Sequence, residues 1–214
     1  MAELPPGFSS RPADPDRDVD QILELCREAA IAEYGSPDID ERIIRGAFRL
    51  PGLDPDRDTL LVLDDADRAA GTATYYDGDT QHIAPYFFFR VRPEVADGTV
   101  PDVILAWGAD RATMNAHLAP DGARVALYAD TAAVNADIVA ALERNGWRRD
   151  RVDWTMEIDL AAAAPLPEPQ WPEGITVRSA DTANLERDAR LLHDTEKESF
   201  SDHYGYTPVP FEEW

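Results

Sequence analysis

The architecture hinges on Tyr128–Trp147, YADTAAVNADIVAALERNGW. Within it Ala133–Asn145 is predicted to be a helix closed by Gly146, because glycine takes the left-handed conformation that ends a helix at little steric cost. Just upstream, Arg124–Ala129 (RVALYA) reads as a strand, and Trp147–Leu160 is extended again, as one long strand or a tight pair. A longer helix, Asp102–His117, precedes this block. Before it lie three extended runs, Thr59–Leu63, Gly71–Tyr76 and Tyr86–Val91. Turn-forming residues at Asp64–Arg68 and Asp77–Gly78 separate them, so they form an antiparallel meander.

The chain opens with a short strand, Phe8–Arg11, and an aspartate-rich segment that suits a helix N-terminus. Val19, Ile22, Leu23, Cys26 and Ala30 then recur at helical spacing up to Tyr34-Gly35, which places Cys26 in the core. A second helix spans Asp38–Leu50 and stops at Pro51-Gly52. Residues 161–173 (AAAAPLPEPQWPE) have the composition of a semi-stiff linker. Beyond them Ile175–Arg178 reads as a strand and Thr182–Phe200 as a helix. The order strand, helix repeats the chain's opening, so 174–214 resembles the start of a second copy of the first domain. Roughly 40 residues cannot bury a core alone, so this tail must lean on the first domain, associate with another chain or stay partly disordered.

Forty-two acidic residues against 20 basic ones, over 214 in all, give a net charge of −22, which repels nucleic acid and anionic membranes alike. No apolar run approaches the roughly 18 residues of a membrane span, and the opening MAELPP lacks the basic flank and apolar stretch of a secretory signal. With a lone cysteine as well, the expected location is the cytoplasm. Two aspartate clusters, Asp14/Asp16/Asp18/Asp20 and Asp54/Asp56/Asp58, imitate calcium loops. The glycine and glutamate such loops need fall on Val19 and Leu25 in the first and on Thr59 and Asp65 in the second, so both are read as helix caps and surface turns. His82, His117, His193 and His203 are too scattered for a zinc site, and no metal is expected. Nucleophile-elbow, Walker and dinucleotide-binding motifs are absent from the sequence.

The element order resembles the GNAT superfamily of acyl-CoA-dependent N-acetyltransferases. In Tyr128–Trp147, Asn135, Gly146 and Trp147 match the family's Asn-x-x-Ala followed by Leu-Tyr-x-x-x-Gly-Phe, whereas Ile138 replaces the Ala and Ala141-Leu142 replace the Leu-Tyr pair. Arg90-Val91-Arg92-Pro93 resembles the V-x-P that ends the family's fourth strand. The resemblance implies an α+β fold of α/β/α layers, with a mixed, mostly antiparallel sheet flanked by helices. It also implies acetyl-CoA as donor, a small amine as acceptor, and Val91, Arg92, Gly98 and Asn135 at the cofactor positions. The tyrosine that serves as general acid in the family falls on Leu142, which has no proton to give, so no catalytic residue is assigned.

The pyrophosphate loop departs from the pattern. Its Arg/Gln-x-x-Gly-x-Gly/Ala falls on Ala96-Asp97-Gly98-Thr99-Val100-Pro101, where the basic or amide position and both required glycines are lost. Such a loop works by converging backbone N–H groups on phosphate oxygens. Pro101 has no N–H, Thr99 adds a side chain where close approach is needed, and Asp97 and Asp102 bring like charge, each worth roughly 3 kcal/mol of repulsion at about 5 Å. As a plain helix start, the segment would use Thr99 as cap.

The tail, GITVRSAD followed by RLLHDTEKESFSDHYGYTPVPFEEW, resembles the opening of the second domain in two-domain members such as mycothiol synthase relatives. That implies a degenerate first domain (1–160), a linker (161–173) and a fragment of a second (174–214), in a chain that ends short of its parent. Phe200, Asp202, His203, Tyr204, Tyr206 and Glu213 would then lie by the acceptor cleft, with His203, Tyr204 and Tyr206 as the substrate residues. The competing expectation is a non-catalytic binding or assembly module, with self-association through 174–214.

Overall fold

Apolar side chains fill both faces of the second strand: Leu60 and Val62 point one way, Leu61 and Leu63 the other, and all four are buried. A strand apolar on both faces needs a helical layer on each side. A computed structural model, which describes residues 3–37, 39–78, 80–154, 156, 158–159, 167–203, 206, 208–212 and 214, has those layers. Two units make up the chain, Met1–Arg148 and Arg149–Trp214.

In the first unit β1 (Ser9–Arg11), β2 (Thr59–Leu63), β3 (Ala69–Tyr76) and β4 (Tyr86–Val91) form one antiparallel sheet in the order β1-β2-β3-β4. Helices α1 (Val19–Tyr34) and α2 (Glu41–Ala47) cover the face carrying Leu61, Leu63 and Ala69. Helices α4 (Thr99–Asn115) and α5 (Ala136–Arg144) cover the other, where Phe87, Phe89 and Val91 meet Val100, Ile104, Leu105, Ile138 and Ala141. Cys26 is fully buried in the first layer, as its spacing implied. Gly35 and Gly146 take φ of 77° and 80°, closing α1 and α5. No helix among the described residues is long and apolar enough to cross a membrane.

Several expectations need correction. Arg124–Ala129 does not form a ladder; it contributes one parallel bridge, Tyr86 to Tyr128, so the mixed character of the sheet reduces to that contact. Backbone bonds from Ala126 N–H to Ile83 O (2.9 Å) and Tyr128 N–H to Pro85 O (2.9 Å) show why: the segment runs beside the entry to β4 rather than along it. The described residues of Trp147–Leu160, and all of Ile175–Arg178, are in no strand, because an extended run becomes a strand only when a neighbour supplies its hydrogen bonds. Thr99 is the first residue of α4 rather than its cap, a place held by Gly98. A short helix, α3 (Pro55–Asp58), follows the second aspartate cluster, and Asp54 caps it by accepting from Asp56 N–H, as the cap reading of that cluster implied.

The aspartate clusters are more than helix caps and surface turns. Asp18 is completely buried and accepts from Arg11 Nη2 (2.8 Å), Asp14 N–H (2.7 Å) and Gln21 Nε2 (2.8 Å). Asp58, also buried, accepts from Arg111 Nε at 2.9 Å and from Arg57. Burial would raise both carboxyls; the hydrogen bonds from Arg11, Asp14, Arg17 and Gln21 to Asp18, and from Arg57, Asp54 and Arg111 to Asp58, outweigh it and hold both below the usual range.

In the second unit a 3-10 turn, Thr182–Asn184, leads into α6 (Leu185–Ser199). The predicted helix over Thr182–Phe200 corresponds to this pair of elements.

Candidate functional site

β4 carries the candidate site on its free edge. Arg92 N–H donates to Ala70 O on β3 (2.9 Å), whereas Phe87 N–H donates the other way, to Tyr128 O (2.6 Å). Successive residues of a strand alternate in direction, so the N–H groups of Phe89 and Val91 face the same side as that of Phe87. Pairing with the Tyr128 segment ends at its single bridge, so those two amides lie on the part of the edge beyond that bridge. Amides on such an edge can donate to a carbonyl oxygen.

Charged and polar side chains from three elements meet beside this edge. Arg90 on β4 sends Nη1 back to Phe89 O (2.7 Å), lies over the Phe88 ring and comes within 3.7 Å of Asp130. Asn135, the cap of α5, accepts from Ile138 N–H (3.2 Å) and donates through Nδ2 to Glu33 Oε1 of α1 (2.8 Å). Partial desolvation beside neighbouring elements, reinforced by Glu33, pushes the exposed Asp130 and Tyr34 above their ordinary values. Burial also raises Cys26 to about 11, Glu33 adding and Arg90 opposing, so it is a neutral thiol at physiological pH and no nucleophile. Glu33, Arg90 and Asp130 were not singled out in the sequence. They lie on separate elements that only the topology brings together, and no local spacing marks them.

Val91 ends β4 with its side chain in the core. Arg92 is buried against α1, its Nε 3.0 Å from Glu28 Oε2 but out of line for a hydrogen bond. Next comes a 3-10 turn, Pro93–Val95, in which Val95 N–H bonds Arg92 O, Ala96 N–H bonds Pro93 O and Gly98 N–H bonds Val95 O. Those three amides are spent inside the loop. Asp102 in the first turn of α4 accepts from Arg144 Nη2 (2.8 Å) and Asn145 Nδ2 (2.6 Å), so its charge is neutralised at the end of α5. The repulsion expected from two carboxylates therefore falls on Asp97. Spent amides, a proline at 101 and an unreplaced basic residue do not fit a diphosphate.

In the second unit His203 N–H bonds Phe200 O (2.8 Å), and the His203 and Tyr206 rings lie 5.4 and 6.0 Å from that of Phe200. Tyr204 and Glu213 lie outside the described residues, and Asp202 is exposed. The unit also repeats a device of the first. Arg178 Nη2 donates to Asp188 Oδ1 at 2.8 Å and Asp181 N–H to Asp188 Oδ2 at 2.7 Å, as Arg11 and Asp14 do to Asp18. Arg187 and Arg17 add a third contact to each aspartate. Gly7 and Gly174 share left-handed φ (88° and 86°), and Phe8 and Ile175 N–H groups bond Pro5 O and Pro172 O. The shared pattern is Pro-x-Gly-x-x-x-Arg-x-Ala-Asp, at 5–14 and 172–181.

No protein-family model matches the sequence, and no curated protein does. Among solved structures, a GCN5-related N-acetyltransferase from Sphaerobacter thermophilus aligns with 99% of this chain at 27% identity and a TM-score of 0.76. The chain spans 63% of that protein's length. A GNAT superfamily phosphinothricin acetyltransferase from Sinorhizobium meliloti, in complex with AcCoA, is 14% identical; the match covers 65% of this chain and 74% of that one, with a TM-score of 0.49. An acetyltransferase of the GNAT family from Streptococcus pneumoniae is 12% identical over 65% of this chain and 83% of its own, also at 0.49. The first likeness, taken with the layered four-stranded antiparallel sheet, gives the chain the fold of the GNAT N-acetyltransferases.

Proposed function

We propose that this chain belongs to a tandem GNAT-type N-acetyltransferase that moves an acetyl group from acetyl-CoA to a small amine, and that its first domain no longer holds the donor. The domains of this reading are 1–160, a linker at 161–173, and 174–214, which repeats the opening of the first. The observation that carries it is the loop after β4, where the amides of Val95, Ala96 and Gly98 bond within the loop instead of facing a ligand. Val91, Arg92, Gly98 and Asn135 then mark a relic donor site, with Arg92 and Asn135 turned to holding α1 through Glu28 and Glu33. His203, Tyr204 and Tyr206 belong to the acceptor side of the second domain. The repeated arginine–aspartate clasp at Asp18 and Asp188 supports the duplication.

A second reading, a non-catalytic GNAT-like binding or assembly module, is favoured by the contacts beside the β4 edge, Asn135 to Glu33 and Arg90 to Asp130. Both readings expect no donor binding by the first domain. The purified chain is expected to show no thermal shift with millimolar acetyl-CoA, and a rise of several degrees would overturn that expectation. Acetyl transfer by the tandem parent, tested on a panel of small amines, separates the two.

A further inference from the structure

A cavity of about 410 Å³ lies at the β1 end of the sheet, the edge opposite β4, and its lining comes wholly from the first unit. That volume falls in the range of small-molecule sites. Leu4, Leu60, Val103 and Trp107 supply its apolar walls. Trp107 is half-buried and its ring packs 6.1 Å from that of Phe87, centroid to centroid, so the core holds this wall in place. Four charged side chains border the walls, and they divide by whether their charge is already matched. Arg11 Nη2 donates to buried Asp18 at 2.8 Å, and Arg57 donates through Nε and Nη2 to buried Asp58 at 3.3 and 3.1 Å. Glu3 and Asp56 are exposed, and neither carboxylate has an ion-pair or hydrogen-bond partner among the described residues. The charge left to act on a ligand is therefore negative.

We propose that this cavity binds an organic cation, a substituted ammonium whose apolar body rests on Leu60, Val103 and Trp107 and whose charge faces Glu3 and Asp56. Charge and wall chemistry select this class together. An anion would meet two unmatched carboxylates on a chain of net charge −22. A hydrated metal ion would have to give up water to walls that offer it nothing in exchange. A weakly hydrated ammonium loses little on entry, buries its apolar body and is attracted to the face of an indole ring. The site stands apart from the β4 edge and from the loop that follows it, so it holds whether or not the first domain binds an acyl donor.

The test titrates the full, isotopically labelled 214-residue chain with benzyltrimethylammonium, which has an aromatic body and a quaternary nitrogen that cannot be acetylated. Saturable amide shifts are expected at Leu60, Val103 and Trp107. Phenylacetate, with the same ring and the opposite charge, should leave them unmoved. Glu3→Gln combined with Asp56→Asn should weaken binding by about fivefold or more. Asp137→Asn combined with Glu143→Gln removes the same net charge from exposed positions on α5 and should change binding by less than about twofold. No saturable shift at those three amides, an equal response to phenylacetate, or equal losses in the two double variants would overturn the proposal.

Discussion

Asp18 and Asp58 show what a single residue can conceal in a sequence. Each sits in an aspartate cluster that satisfies a cap-and-turn reading, and each is the buried member that its neighbours serve with hydrogen bonds. Composition could not separate them, because the partners that matter, Arg11 for one and Arg111 for the other, come from elsewhere in the chain. Arg111→Ala should cost about 3 kcal/mol by urea denaturation, because it strands a buried carboxylate; Arg57→Ala, at an exposed partner of the same aspartate, should cost under about 1 kcal/mol. Both carboxyls are depressed in the folded chain, so their contribution is complete above the unfolded value of about 4 and is lost as pH falls through their folded values. Stability should therefore decline from about pH 5 downward, and Asp18→Asn should flatten that slope; an unchanged slope would show that Asp18 is not so held.

Elements were legible where they carry their own signal. β2 and β4 fall on the boundaries their apolar runs implied, and α1 and α5 end at the glycines that mark them. Segments 124–129 and 175–178 failed, since their strand character depends on a neighbour that their own residues do not specify. The candidate site divides the same way. Resemblance named Val91, Arg92, Gly98 and Asn135 as cofactor positions, but the contacts of Arg92 and Asn135 with Glu28 and Glu33 of α1 needed the packed helix. Packing of α4 on β4 gives a sharp test at Gly108. Glycine to alanine within a helix normally gains up to about 1 kcal/mol, but a Cβ here would lie 2.6 Å from Phe87, whose ring is held by Phe89, Trp107 and Trp147. Overpacking outweighs propensity, and Gly108→Ala should destabilise by about 2 kcal/mol in thermal or urea melts.

At the scale of the whole molecule the dominant quantities are the charge and the repeat. A net charge of −22 makes self-repulsion a steady cost, while the buried pairs at Asp18 and Asp58 are little screened, so moving from 10 mM to about 0.3 M salt should raise the melting temperature. A fall would mean that surface ion pairs outweigh the repulsion. The repeat was visible as an order of elements, strand then helix; its strongest form, Pro-x-Gly-x-x-x-Arg-x-Ala-Asp, emerged only once Arg11 and Arg178 were seen gripping Asp18 and Asp188 alike. The account rests above all on the loop between β4 and α4 having given up its hold on a diphosphate. Backbone amide shifts of the isotopically labelled chain, titrated with acetyl-CoA, test this residue by residue. Unmoved signals from Ala96 to Val100 and at Asp102 are expected, and saturable shifts confined to those amides would contradict it.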